Sequence, residues 1–163
     1  MYCRPFSSHR TNDGRYGYNN VQLYVGIWYH RFSPRWHMAW EIYYEYETQV
    51  PPVSTILGAN PALCHSGTRC FAPEYASAHY LLYQFLDSDF IGLPNEVFND
   101  EPGQRTGFRT LYTEHTLSSS HLLSKSVVLR PEIRFEHSYN ANACNGGTAN
   151  SLLIVAADMI IKY

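Results

Sequence analysis

The stretch that decides the fold is "WHMAWEIYYEYE", residues 36–47, in which bulky apolar side chains alternate with mostly polar ones. The even positions hold Trp36, Met38, Trp40, Ile42, Tyr44 and Tyr46. The odd positions include His37, Glu41, Glu45 and Glu47. Successive side chains of a β-strand point to opposite faces of its sheet. The stretch therefore predicts a strand with one apolar face and one polar face.

A helix is the alternative interpretation of the same stretch. His37, Glu41 and Glu45 are spaced by four residues, so on a helix they would form one polar stripe that could bind a metal ion. The rest of that helix would be apolar nearly all round. The similar stretch "VVLRPEIRFEHSY", residues 127–139, has a proline in its middle, which a helix interior excludes. Both stretches therefore favour strands.

The same alternation recurs along the chain. It is clear in residues 21–30 and 127–136, and weaker candidates lie at 74–86, 89–99, 107–121 and 150–163. This gives about seven strands and no convincing helix. The connections alternate between short and long, as in the antiparallel up-and-down meander of an outer-membrane barrel. We predict an all-β chain in which residues 1–163 form a single domain, with a loop-like segment at 1–18.

Two prolines interrupt the proposed strands. Pro94 and Pro131 each remove one hydrogen bond from the ladder, and a closed barrel has no free edge at which to place them. We expect a β-bulge at Pro131.

The composition excludes several classes of protein. A formal net charge of −2 gives no electrostatic footprint for nucleic acid. The longest uncharged apolar run, residues 152–157, is far shorter than the ~20 residues of a transmembrane helix. Residues 1–20 contain no apolar segment of the kind found in a signal peptide. With about seven strands counted, where single-chain barrels have an even number, we expect the chain to lack N-terminal strands and to form no functional barrel alone.

The two faces can be assigned to lipid and to a lumen. Trp36 and Trp40, with Tyr43, Tyr44 and Tyr46 near the long-loop end, are typical of an aromatic girdle at a membrane interface. The lipid-facing and girdle residues are then Trp36, Trp40, Ile42, Tyr44, Tyr46, Leu129, Ile133 and Phe135. The lumen-lining residues are His37, Glu41, Glu45, Glu96, Glu114, Arg130, Glu132, Arg134, Glu136 and Asp158. A soluble secreted or periplasmic β-barrel that binds an apolar ligand inside is the alternative, and it would invert the faces.

Cysteines and hydroxyl-rich stretches offer other chemistry. Cys64 and Cys70 enclose five residues, so we expect a disulfide between them, and Cys3 could pair with Cys144. A zinc site at Cys64, Cys70 and His65 is the alternative, but this spacing matches no zinc signature. The stretch "TEHTLSSSH", residues 113–121, holds candidates for a nucleophile and a base. Adjacent strand residues such as Glu114 and His115 face opposite ways, however. We predict no catalytic site, no metal and no cofactor.

The family resemblance rests on "WHMAWEIYYEYETQVP", "CHSGTRCFAPEYA", "GQRTGFRTLYTEHTL" and "LRPEIRFEHSYNANACNGGTANSLLIVAADMIIKY". Together they resemble the C-terminal portion of an outer-membrane β-barrel porin family of Gram-negative bacteria, which includes OmpL-like porins. Met159, Ile161 and Tyr163 also resemble the C-terminal signal that the β-barrel assembly machinery reads. The resemblance implies a location in the bacterial outer membrane, contact with its lipid and passive passage of small solutes.

Overall fold

The chain folds into one antiparallel sheet. The computed structural model describes residues 22–50 and 70–162. Over these residues it shows a seven-stranded sheet in which every strand pairs with its neighbours in sequence. The strands are β1 (Gln22–Arg31), β2 (Trp36–Val50), β3 (Cys70–Leu86), β4 (Asp89–Asp100), β5 (Thr110–Ser124), β6 (Val127–Ser138) and β7 (Ser151–Ile161). The predicted all-β meander is confirmed, and the helical alternative for 36–47 is wrong.

Short and long connections alternate as the sequence predicted. Residues 32–35, 87–88 and 125–126 form the short turns at one end of the sheet. Residues 101–109 and 139–150 form long loops at the other end, and the connection at 51–69 lies outside the described residues. β5 begins at Thr110 rather than at 107 because Gly103 and Gly107 adopt positive φ and turn the chain before the strand starts.

No register shift marks either proline. Pro131 pairs with Ala157 in an unbroken register with β7, so the expected bulge is wrong. On its other side, β6 pairs with β5. The pairs Ser118–Glu132 and His121–Leu129 are in the same register, but the two positions between them, which include Pro131, are not paired. The β4–β5 ladder skips pairs at Pro94 in the same way. Each strand therefore accommodates its proline by losing ladder contacts on one side, because proline has no N–H to donate.

The strands are staggered from one edge of the sheet to the other. The row of paired residues through Trp40 passes through His79, Asn95 and His115 and ends at Leu153. That row lies near the short-turn end of β2 but near the long-loop end of β7. Relative to this row of paired residues, the strands thus extend further towards the short turns in β7 than in β2.

The edges of the sheet do not meet. β1 and β7 make no contact with each other, so over the described residues the sheet is not closed. Both edge strands run from the long-loop end to the short-turn end. An all-antiparallel barrel that includes this sheet therefore needs at least one further strand between them.

The core lies on one face of the sheet, near the long loops. Its buried members are Ala76, Phe98, Tyr112, Ala143 and Cys144. Neighbouring strands supply the first three, and the loop 139–150 supplies the other two. Phe108 of the loop 101–109 packs against them. Over the described residues no second sheet or helix covers this face, and the two loops pack onto it.

Candidate functional site: the inner face of the sheet

The strand register divides the sheet into two faces. We call the face that carries Phe98 and Tyr112 the inner face, and the opposite one the outer face. All the residues predicted to line a lumen lie on the inner face: His37, Glu41, Glu45, Glu96, Glu114, Arg130, Glu132, Arg134, Glu136 and Asp158. The residues predicted to face lipid lie on the outer face: Trp36, Trp40, Ile42, Tyr44, Tyr46, Leu129, Ile133 and Phe135. The alternation in sequence thus sorted the charged and the bulky apolar residues onto opposite faces.

Arg134 gathers the acidic residues in the middle of the inner face. Its guanidinium lies 2.8 Å from Glu132, 3.5 Å from Glu114 and 3.8 Å from Glu136. The single cation is thus shared among carboxylates of its own strand and of β5. A half-open cavity of about 200 Å³ lies beside it, lined in part by Tyr80. The cavity is polar enough to hold water and small polar solutes.

A second ion pair lies nearer the short turns. Arg130 binds Asp158 of the neighbouring strand with two hydrogen bonds, Nε to Oδ1 at 2.8 Å and Nη2 to Oδ2 at 2.5 Å. Both side chains are exposed, so the pair contributes little to stability. It does fix the position of one positive and one negative charge on this face.

The loop 101–109 folds inward and is held by charge. Arg105 forms ion pairs with Glu45 of β2 and with Glu74 of β3, the latter at 2.7 Å. Beside it, the side-chain amide of Gln104 donates a hydrogen bond to Glu47. Burial lowers the pKa of Arg105, but Glu74 and Glu45 outweigh it and leave the pKa above its usual value. The loop is therefore tied to two strands by a guanidinium that stays charged.

A hydroxyl and carboxylate network anchors the other half of the loop. Asp100, fully buried at the end of β4, accepts hydrogen bonds from the Thr106 backbone N–H at 2.7 Å and from its hydroxyl at 2.8 Å. The Tyr112 hydroxyl donates to Thr106 Oγ1 at 2.8 Å. These bonds join the loop to the ends of β4 and β5 and so stabilise its inward conformation.

Sequence reasoning missed this loop network. It placed Glu45 and Glu47 on the polar face and counted Glu45 among the lumen-lining residues. It left five others out of the site: Glu74, Asp100, Gln104, Arg105 and Thr106. The one available signal was the polar run "GQRT", residues 103–106, between two strands. Nothing in that run indicates that a loop turns inward rather than outward.

The outer face is apolar and exposed. Ile133 is 50% exposed and Val155 is 75% exposed. The aromatic residues there contact one another, with Trp36 stacked on Tyr83 at 4.4 Å and Trp28 lying edge-on to Trp40. Over the described residues nothing in the chain covers this face.

Two details of the face assignment need correction. Tyr43, which the sequence grouped with the girdle, lies on the inner face near Phe98 because it is in register with Ala76. On β1 the residues in register with the inner face include the aliphatic Val25, which pairs with Tyr43, and Ile27, which pairs with Glu41. Trp28 and Tyr24 take the outer side. Bulky apolar residues therefore occur on both faces of β1, and alternation alone could not orient it.

Polar side chains on the outer face are paired with one another. Trp40 donates its indole N–H to Ser77 at 2.8 Å, and Ser77 lies 2.9 Å from His79. His115 bonds Asn95 at 2.8 Å in the same way. His137 bonds Ser151, and Asn99 bonds the Tyr75 hydroxyl. Such pairing is what polar groups need where water is scarce.

Over the described residues, the side chains considered for a hydrolase are divided between the two faces of the sheet. Glu114 lies on the inner face and His115 on the outer face, as their parity predicted. His121 is in register with Asp89 near a short turn, and its Nδ1 forms a hydrogen bond with the Asp89 carboxylate. Over the described residues no cluster of histidine, cysteine and acidic side chains could hold a metal ion. On β2, His37, Glu41 and Glu45 are spread along the strand rather than brought to one point.

The remaining sequence predictions fall partly outside the described residues. Cys3 and Cys64 lie outside them, as does the side chain of Cys70, which is the first residue of β3 rather than a loop residue. Cys144 is fully buried and disulfide-bonded. Met159 and Ile161 lie in β7, in register with Leu129 and Val127 on the outer face. Tyr163 lies outside the described residues.

The comparisons with known proteins found nothing similar. No family model matches the chain, and neither the curated proteins nor the solved structures gave a match. A helix long and apolar enough to cross a membrane is absent from residues 22–50 and 70–162.

Proposed function

We propose that this sheet forms part of an outer-membrane β-barrel whose outer face contacts lipid and whose inner face lines a passage for small solutes. The observation that carries the proposal is the contrast between the faces. Leu129, Ile133 and Phe135 of β6 point outward, while Arg130, Glu132 and Arg134 between them point inward. On β2, likewise, Glu41 and Glu45 point inward while Trp40, Ile42 and Tyr44 point outward.

The exposed apolar area favours a lipid environment. Large aliphatic and aromatic side chains stand exposed on the outer face of every strand, among them Trp28, Ile42, Leu93, Leu117, Ile133 and Val155. Soluble monomers rarely expose contiguous apolar patches of more than a few hundred Å². A bilayer removes such a surface from water at about 25 cal/mol per Å².

The polar groups of the outer face are compatible with lipid. In a bilayer every unpaired polar group costs several kcal/mol. The indole of Trp40 and the rings of His79, His115 and His137 each have a hydrogen-bond partner on that face. Tyr24, Tyr44 and Tyr46 cluster near the long-loop end, as an interfacial girdle would.

The stagger of the strands agrees with a barrel. Strands of transmembrane barrels tilt by about 35–45° to the barrel axis, and the tilt shifts the register steadily around the wall. The row through Trp40 shows such a shift between β2 and β7. A flat sheet in a soluble sandwich has no need of it.

The inner face supports passage that is restricted near the long loops. The ion pairs of Arg130 and Arg134 fix charges along the inner face. Fixed charges beside a passage favour some solutes over others. The loops 101–109 and 139–150 cover the core near one end, so they narrow the route there. Met159 and Ile161 would then serve in a C-terminal assembly signal read by the β-barrel assembly machinery.

Purification without detergent tests the proposal against its alternative. The chain should require detergent to stay dispersed, and a barrel in which further strands close this sheet should give discrete conductance steps in planar bilayers. The alternative, a soluble secreted or periplasmic β-barrel with an apolar ligand inside, should purify from the aqueous fraction and give no steps. A monomer that is soluble without detergent would rule out the membrane proposal.

A further inference from the structure

A row of polar side chains crosses the apolar outer face. The strand register places His79 of β3, Asn95 of β4 and His115 of β5 at directly paired positions. We call these three residues the histidine row. Asn95 lies midway along β4, and its neighbours on the same face of that strand are Leu93 and Val97. The row therefore lies at a depth where the proposed function expects hydrocarbon.

His79 presents a hydrogen-bond donor to its surroundings. The indole N–H of Trp40 can only donate, so Ser77 Oγ accepts from it at 2.8 Å. This leaves the Ser77 hydroxyl to donate to His79 Nε2 at 2.9 Å. When Nε2 of a neutral imidazole accepts, the ring proton is on Nδ1. Over residues 22–50 and 70–162, no group accepts a hydrogen bond from this Nδ1.

His115 presents an acceptor instead. The side-chain amide of Asn95 donates to the backbone carbonyl of Leu93 at 3.0 Å, so its oxygen is the atom that faces His115. His115 Nδ1, 2.8 Å from that oxygen, is therefore the donor. The neutral ring then has a lone pair on Nε2, to which nothing donates within the described ranges. The row thus has a donor on one side of Asn95 and an acceptor on the other.

Hydrocarbon cannot satisfy these two ring nitrogens. Both imidazoles are exposed on the outer face, and an unpaired polar group is costly in the core of a bilayer. Polar side chains at such depths commonly form hydrogen bonds across a contact between protein segments. The row is therefore better covered by protein than by lipid.

A second copy of the chain supplies the matching groups. In a dimer whose two-fold axis runs along the membrane normal beside Asn95, β3 of one copy faces β5 of the other. The donor of His79 is thereby brought towards the acceptor of the other copy's His115, and symmetry makes this contact twice. β3, β4 and β5 lie away from both edges of the sheet. Such a contact therefore leaves the edges free for strands that close the barrel.

We infer that the histidine row is the contact through which two copies of this chain pair side by side in the membrane. Complementarity selects this occupant, because the row offers one donor and one acceptor on either side of Asn95 and a second copy offers the same two in reverse order. The inference rests on the proposed function, since it requires the outer face to lie in lipid.

Crosslinking tests the contact without altering the row. Val97→Cys places a thiol on the outer face of β4, close to the proposed two-fold axis. In detergent micelles, a short bismaleimide should convert this variant of the full chain into a covalent dimer. Ile133→Cys, at another exposed aliphatic position of the outer face on β6, is the matched control. It should give no more dimer than the unmodified chain, whose own cysteines set the background.

Sedimentation equilibrium in density-matched micelles tests the row itself. His79→Leu combined with His115→Leu should weaken the dimer by roughly tenfold, as expected for the loss of two hydrogen bonds within a membrane. His30→Leu combined with His137→Leu removes the same side chains from the outer face of β1 and β6. This control pair should leave the dimer unchanged.

The outcomes separate this inference from the proposed function. A monomer in detergent, equal crosslinking of Val97→Cys and Ile133→Cys, or equal weakening by both pairs of histidine variants would overturn the inference and leave the proposed function standing. A chain that stays dispersed without detergent would overturn the proposed function itself.

Discussion

Arg105 is the residue on which the inward position of the loop 101–109 depends. Its guanidinium joins Glu45 and Glu74, which lie directly opposite each other on β2 and β3. Both carboxylates are buried, and Arg105 offsets their mutual repulsion. The single side chain therefore stabilises both the loop and the pairing of the two strands beneath it.

Replacing Arg105 should release the loop. Arg105→Met leaves two buried carboxylates without their shared cation, which costs about 3–5 kcal/mol for a fully buried pair. Because the Arg105 side chain is 31% exposed, we expect the free energy of unfolding to fall by roughly 2–3 kcal/mol. Urea unfolding in detergent measures it. Chymotrypsin should also cut faster after Phe108, which packs against the core in the closed loop.

Arg109→Met is the matched control for this experiment. It removes the same charge from an exposed position of the same loop. Its unfolding midpoint should equal that of the unmodified chain. Equal behaviour of the two variants would show that the ion pairs of Arg105 do not hold the loop.

The disulfide between Cys64 and Cys70 is a second prediction at the scale of single residues. Because Cys144 is disulfide-bonded, a bond between Cys64 and Cys70 requires that Cys144 pair with Cys3. Trypsin cuts after Arg69, so without reduction the Cys64 and Cys70 peptides should be recovered linked to each other. Mass spectrometry identifies them. Recovery of Cys144 linked to either of these cysteines, or labelling of both as free thiols, would refute the pairing.

Single strands carry the contrast between the faces. β6 shows it most sharply, because charged residues alternate with Leu129, Ile133 and Phe135 along its length. β1 and β7 are the exceptions, since Val25, Ile27, Leu152 and Ile154 bring apolar groups to the inner side. The strands that form the edges of the sheet therefore differ from those in its middle.

Substitutions on opposite faces of β6 should have opposite consequences. Ile133→Arg places a charge on the outer face, where an arginine near the middle of a bilayer costs about 2–4 kcal/mol, and should block stable insertion. Glu132→Gln should insert normally and change conductance instead. Membrane fractionation measures insertion. Normal insertion of Ile133→Arg, together with failure of Glu132→Leu, would mean that the faces are reversed.

The fluorescence of the three tryptophans can show whether the outer face of the molecule lies in lipid or in water. All three, Trp28, Trp36 and Trp40, lie on the outer face of β1 and β2. In vesicles whose acyl chains carry bromine, their fluorescence should be strongly quenched, while aqueous iodide should have little effect. Strong quenching by iodide in the folded protein would place the outer face in water and favour the soluble alternative.

The sequence by itself determined the strands and most of their faces. Alternation in 36–47 and 127–136 depends only on the two-residue period of a strand, so it survives without tertiary information. It placed Glu41 and Arg134 on one face and Ile133 on the other, as the strand register does. It misplaced Tyr43 and could not orient β1, because bulky apolar residues occur there at both parities.

Only the tertiary structure decided which distant residues meet. Register between strands is set by side-chain packing and by the turns, and a shift of one residue would exchange the faces of a whole strand. That register aligns Glu41, Glu96, Glu114 and Glu136 in one row. The inward fold of the loop 101–109 depends on ion pairs between Arg105 and strands far from it in sequence. Contacts over such separations leave no periodic signal in the chain, so the alternation of residues could not predict them.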